Sequence, residues 1–106
     1  MRAPALASLF LLTGGAYADN EVVERAIAVR AGKFYPETIE VPAGRKIRLV
    51  VSNEGPGPEE FESTPLKKET VLAEGVTRKI IIAPQDPGEY PFFGEFHLET
   101  AQGVLV

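Results

Sequence analysis

The 106-residue chain has no cysteine and one histidine, His97, and its single methionine is the initiator. Without cysteine there can be no disulfide, although small exported domains often depend on them. The fold must stand on packing and strand pairing, with or without help from a bound ion. No thiolate is available as a nucleophile or a metal ligand. A lone histidine without an identifiable serine partner, Ser63 and Thr64 included, excludes a nucleophilic triad. No basic cluster exceeds Arg45-Lys46-Arg48 and Lys67-Lys68, so nucleic acid is not an expected partner. No phosphate-cradling glycine motif is present, and a domain this small offers no cleft for glycosidase chemistry between paired glutamates. Repeats, low-complexity tracts and interdomain linkers are also missing.

What is present begins with an address. Arg2 precedes a mostly apolar run from Ala3 to Leu12, Gly14 and Gly15 follow, and Ala16-Tyr17-Ala18 forms a small-x-small cleavage pattern. These features predict a signal peptide over residues 1–18, cut before Asp19, and a periplasmic protein. The run falls short of the roughly 20 apolar residues of a membrane span, so the mature form is expected to have none. One domain, residues 19–106, should remain. The whole chain carries a formal charge of −4, and an acidic surplus favours cations as partners.

The pattern of that domain is β throughout. Ile27 and Val29 alternate with Ala26, Ala28 and Arg30, Ile47, Leu49 and Val51 alternate with Lys46, Arg48 and Val50, and Ile80 and Ile82 flank Ile81. Period two with β-branched and aromatic enrichment is the mark of half-buried strands. Pro42-Ala43-Gly44, the stretch from Asn53 to Pro58, Glu74-Gly75 and Asp86-Pro87-Gly88 punctuate the runs. Strands between regularly spaced turns predict an all-β, antiparallel Greek-key β-sandwich. Only "TPLKKETVLAEG" could hold a short helical turn, which Pro65 would limit.

The order of motifs is more specific than the pattern. "FYPETIEVPAGRKIRLVVSNEG" and "APQDPGEYPFFGEFH" resemble the opening and the closing strand-to-metal-loop segments of cupredoxin domains, over residues 31–106. In blue-copper members of that family a thiolate, two imidazoles and a weak thioether hold copper. Aligned to them, the first imidazole position falls on Glu59 or Glu60, the cysteine on Gly94 and the methionine on Ala101, while His97 is kept. The resemblance therefore implies a cupredoxin-like fold with no blue-copper site. It also implies a site of altered chemistry, because carboxylates and one imidazole suit harder or borderline ions such as copper(II) and iron. An extended Glu95–Glu99 segment would put Glu95, His97 and Glu99 on one side.

A narrower resemblance joins "EEFES", "PGEY" and "FFGEFH" to the thiol-free cupredoxins that accompany bacterial Ftr/Efe-type iron permeases. It implies a part in ferrous iron uptake, by Fe(II) oxidation or delivery, with a periplasmic iron-binding protein and a membrane iron permease as partners. The related iron-binding component carries metal-site glutamates whose counterparts here are Glu60 and Glu89. It retains a cysteine at the Gly94 position, so its site does not transfer whole. The expected metal ligands are His97, Glu60, Glu95, Glu59 and Glu89, with Glu62, Glu99 and Gln102 as weaker candidates. The alternative is a metal-free sandwich that serves as a protein-interaction module.

Overall fold

The computed structural model describes residues 21–106. The signal segment expected over residues 1–18 lies outside the described residues. Nine strands follow in order: β1 Val23–Arg30, β2 Lys33–Tyr35, β3 Thr38–Ile39, β4 Ile47–Asn53, β5 Glu59–Ser63, β6 Lys68–Leu72, β7 Thr77–Ile82, β8 Tyr90–Phe93 and β9 Gln102–Leu105. They form two sheets, ordered β2-β1-β4-β7 and β3-β9-β8-β5-β6. The all-β sandwich expected from the periodicity is the observed fold.

Each sheet is mixed rather than antiparallel. β1 runs parallel to β4, from Val23 opposite Ile47 to Val29 opposite Asn53. β3 runs parallel to β9, with Thr38 opposite Val104. Alternation reports which face a residue takes and says nothing about the direction of its neighbour. The helical turn entertained for residues 64–75 is absent. Lys67 adopts φ 58°, which closes a turn and starts β6 at Lys68.

The inward residues follow the alternation residue by residue. Ile27 and Val29 from β1, Ile47, Leu49 and Val51 from β4, and Ile80 and Ile82 from β7 are all buried. They face Phe61, Leu72, Phe92 and Leu105 from the other sheet. Phe34, Phe61 and Phe92 form one aromatic knot, Phe34 standing edge-on to the others at 6.1 and 5.1 Å and Phe61 stacking on Phe92 at 5.0 Å. Offset and edge contacts of this kind add to the burial itself. Fixing Phe61 and Phe92 fixes β5 and β8, the strands that carry the candidate residues.

Two turns complete the frame. β1 and β2 are joined through Ala31 (φ 49°) and Gly32 (φ 76°), consecutive positive φ values that a two-residue hairpin requires. Asn53 ends β4 with a buried side chain. Its Nδ2 donates to Gly57 O (2.8 Å) and Leu72 O (3.0 Å), and its Oδ1 accepts from Gly55 N–H (2.8 Å). One amide thereby folds the loop that delivers the chain into β5 with Glu59 as its first residue.

Candidate metal site

Glu59 and Glu60 are consecutive in a strand, so they point to opposite faces of their sheet. Glu59 points inward and is fully buried. Its Oε1 lies 3.0 Å from His97 Nδ1, and its Oε2 accepts the Gly32 N–H at 3.1 Å. A carboxylate accepts, so this pairing places the proton on Nδ1 and directs the Nε2 lone pair away from Glu59. The imidazole is 46% exposed, so Nε2 is the nitrogen available to a ligand. Gly32 must be small as well as left-handed, because a Cβ there would meet His97 Cγ at 2.8 Å.

On the other face Glu60 is also buried, beneath the chain that leaves β8. Its Oε1 accepts the Glu95 N–H at 2.6 Å. Oxygens of Glu60, Glu62 and Glu95 lie within 4.8 Å of one another, and Glu69 stands opposite Glu62 on β6. Burial pushes the Glu60 carboxyl up to about 7. The Glu95 N–H opposes that rise, while Glu62, by hydrogen bond and by charge, and Glu69 reinforce it. Glu62 Oε1 is buried without a hydrogen-bond donor among the described residues.

The segment after β8 is a 3-10 turn over Glu95–His97, not the extended stretch expected from the alternation of Glu95, His97 and Glu99. His97 N–H donates to Gly94 O, and the Thr100 and Ala101 N–H groups both donate to His97 O. This turn separates the three side chains. Glu95 stays with Glu60, His97 crosses to Glu59, and Glu99 is exposed. Thr100 Oγ1 donates to Gly32 O at 2.6 Å, and Gln102 Nε2 donates to Leu98 O at 2.8 Å, so Gln102 braces the loop.

The structure thus gathers the candidates into two groups, Glu59 with His97 and Glu60 with Glu95 and Glu62. Glu89 joins neither. It precedes β8 at the end opposite Gly94, about 16 Å away along an extended strand. Glu69, the last residue of "LKKE", was not singled out from the sequence as a site residue; its place beside Glu62 follows from the β5–β6 register. Asn53 was seen as a strand end, with no hint of its three hydrogen bonds. A recess of about 30 Å³ lies at the opposite pole, lined among others by Val41, Ile47, Tyr90 and Leu105.

Gly94 is as informative as the acids. A Cβ at this position would lie 2.7 Å from Glu60 O and 3.0 Å from Ala101 Cβ. The loop has closed onto β5, and a side chain of any kind no longer fits.

A family model described as a cupredoxin-like domain matches residues 2–106. An uncharacterised protein of Rickettsia prowazekii (strain Madrid E) is 40% identical over 88 residues, covering 83% of this chain and 70% of that protein. Among solved structures, a dithionite-reduced auracyanin from Roseiflexus castenholzii superposes with a TM-score of 0.65 at 16% identity, covering 80% of this chain and 94% of its own. A copper-binding protein solved by NMR in the apo form gives 0.71 at 21%, covering 85% and 91%. A purple cupredoxin from Nitrosopumilus maritimus gives 0.58 at 19%, covering 76% and 96%. At such identities the likeness is one of fold.

Proposed function

The chain belongs to the cupredoxin-like family, and from that premise we propose that it is a periplasmic metal carrier that holds its cargo on carboxylates. The cargo is a hard or borderline cation, iron above all, and the setting is ferrous iron uptake. The family's usual copper centre does not fit these residues. There is no sulfur ligand anywhere in the mature sequence, and Glu60 O and Ala101 occupy the space that a Gly94 side chain would need. No electron-transfer step through copper is derived for that reason.

One observation carries the reading: Glu60, Glu62 and Glu95 turn three carboxylate oxygens toward one another within 4.8 Å. None of these three acids is ion-paired among the described residues. Oxygen-only donor sets select hard ions. Glu60 is fixed by its hydrogen bond to Glu95 N–H, whereas Glu62 and Glu95 are less buried and can adjust to an entering ion. Entry displaces the proton that Glu60 holds near neutral pH, so uptake and proton release are linked. Carboxylates also favour Fe(III) over Fe(II). Oxidation of a bound ferrous ion would need an electron acceptor from a partner, and the function proposed is holding and delivery. The receiving partners are the periplasmic iron-binding protein and the membrane permease to which the sequence resemblance points.

Calorimetric titration with anaerobic Fe(II), Mn(II) and Cu(II) tests this reading. The wild type should bind Fe(II) or Mn(II) one to one, Glu60→Gln should lose at least tenfold in affinity, and His97→Ala should keep it. Equal affinities in wild type and Glu60→Gln sink the carboxylate site. If Cu(II) alone binds and His97→Ala abolishes it, the cargo is copper on the imidazole.

A second reading has its own observation. Glu59 and His97, one of the two candidates for the first imidazole position and the second position itself, are joined directly by a hydrogen bond, and both Glu59 oxygens are satisfied. The loop is held shut without a metal. A protein that binds none of the three ions would be an interaction module on a cupredoxin frame.

A further inference from the structure

The two sheets carry opposite charge. On the outer face of the β2-β1-β4-β7 sheet, Arg30, Lys33, Arg48 and Lys79 stand against a single acid of those strands, Glu24. On the other sheet, Glu60, Glu62 and Glu69 take the outer face and Glu95 lies in the adjoining 3-10 turn. From this polarity and the side chains exposed on each outer face, we infer that the protein associates with itself head to tail, the outer face of the β1-containing sheet of one copy seating on the outer face of the β5-containing sheet of the next.

The strand register places the side chains concerned. On the basic sheet, Arg48 is opposite Ile81 and Val50 opposite Lys79, all pointing outward, and Tyr35 lies beside Ala28. Tyr35 and Ile81 are each 43% exposed, and Ala26 is exposed on the same face, so the face is partly apolar. On the acidic sheet, Glu62 is opposite Glu69, and Val71, 52% exposed, lies next to Glu69 on the same face. Each face thus offers apolar contact beside side chains of mainly one charge sign, and the signs are complementary.

Complementarity also selects the symmetry. Two basic faces together would oppose Arg48 and Lys79 with their own copies, and two acidic faces would oppose Glu62 and Glu69. Only unlike faces match, so the contact is heterologous, and each added copy leaves one face of each kind open. Three basic-face cations have rim partners, Arg30–Glu54 at 2.9 Å, Lys33–Glu37 at 3.5 Å and Arg48–Glu24 at 3.9 Å. All are exposed pairs, which hold their cations weakly, and Lys79 has no such partner among the described residues. Four strands spaced ~4.8 Å apart and ~20 Å long give a face of ~400 Å². That is about half of what each side of a stable complex buries, so the association is weak, concentration-dependent and sensitive to salt.

Sedimentation velocity of the wild type, Arg48→Glu/Lys79→Glu and Glu69→Lys/Val71→Lys tests the inference. All substituted positions are on outer faces, and thermal melts confirm that each variant is folded. At low salt the weight-average mass of the wild type should at least double between about 10 μM and about 1 mM, and return to monomer at about 0.5 M salt. Each variant alone should be monomeric, because both of its faces then carry the same sign, and their equimolar mixture should associate again, because each intact face then meets an unlike partner. A wild type that is monomeric at about 1 mM and low salt overturns the inference. So does a discrete dimer that either variant still forms, since that contact would be two-fold. Binding of monomeric wild type to phosphatidylglycerol vesicles, lost only in Arg48→Glu/Lys79→Glu, would reassign the basic face to anionic lipid.

Discussion

Restoring the sulfur does not restore a copper-thiolate centre. The perturbation is Gly94→Cys, with Gly94→Ala as the control for bulk alone. Gly94 is buried and its φ of −118° suits any residue, so the backbone does not forbid a side chain. Packing does. The first carbon of that side chain would lie 2.7 Å from the Glu60 carbonyl oxygen, a backbone atom of β5, and 3.0 Å from Ala101 Cβ. Neither neighbour can rotate away, because Glu60 is held in the β5–β6 ladder and Ala101 N–H and O both bond within the loop. Overpacking a site of this kind costs about 1–3 kcal/mol. At ~4–8 °C per kcal/mol for a domain of this size, both variants should melt roughly 4–24 °C below the wild type. Calorimetry measures the loss, and optical spectra of the Cys variant with Cu(II) should show no intense thiolate-to-copper band. A Cys variant as stable as the wild type and intensely coloured with copper would refute the reasoning, because the loop would then have room for the ligand and lack only the sulfur.

Other perturbations separate the two groups. His97→Ala strands Glu59 Oε1 in a fully buried position and should cost about 1–3 kcal/mol, read from urea unfolding; no change would mean that water replaces the imidazole without penalty. Glu60 is raised from 4.5 in the unfolded chain to about 7, so between those values the folded state binds more protons than the unfolded state. This group's contribution to stability is therefore full below about 4.5 and declines as pH rises to about 7. Glu60→Gln should flatten that decline in thermal melts across the window, and an unaltered pH profile would show that Glu60 ionises normally. Asn53→Ala removes three hydrogen bonds from a buried amide and should cost about 3 kcal/mol at roughly 1 kcal/mol each. The same variant should weaken metal binding, since the loop into β5 loses its anchor; unimpaired affinity would disconnect Asn53 from the site.

The inward face of every long strand could be read from the sequence, because burial imposes period two and the apolar residues display it. Ile47, Leu49 and Val51 are all inside, as are Ile80 and Ile82. Neighbour direction could not be read so. The parallel pairing of β1 with β4 is a relation between two strands, and neither contains it. The carboxylates of the candidate site were partly legible through the resemblance to cupredoxins, which drew attention to Glu59, Glu60, Glu95 and His97. Their division into two groups was not. It depends on the 3-10 turn at Glu95, which follows directly on Gly94, where an added Cβ would meet a backbone oxygen 34 residues earlier in the chain. Glu69 enters only through its register with Glu62. Glu89 illustrates the converse: a motif match named it, and the length of β8 removes it from both groups.

The position of β9 has a consequence for how the molecule comes to exist. Gln102–Leu105 is an interior strand, hydrogen-bonded to β8 on one side and to β3 on the other. Thr38 must wait for Val104, and Val41 donates to Val106 O. A chain that emerges N-terminus first can form the β1–β2 hairpin at once, yet it cannot close its second sheet until β9 has been delivered. Such high contact order slows folding to milliseconds or longer.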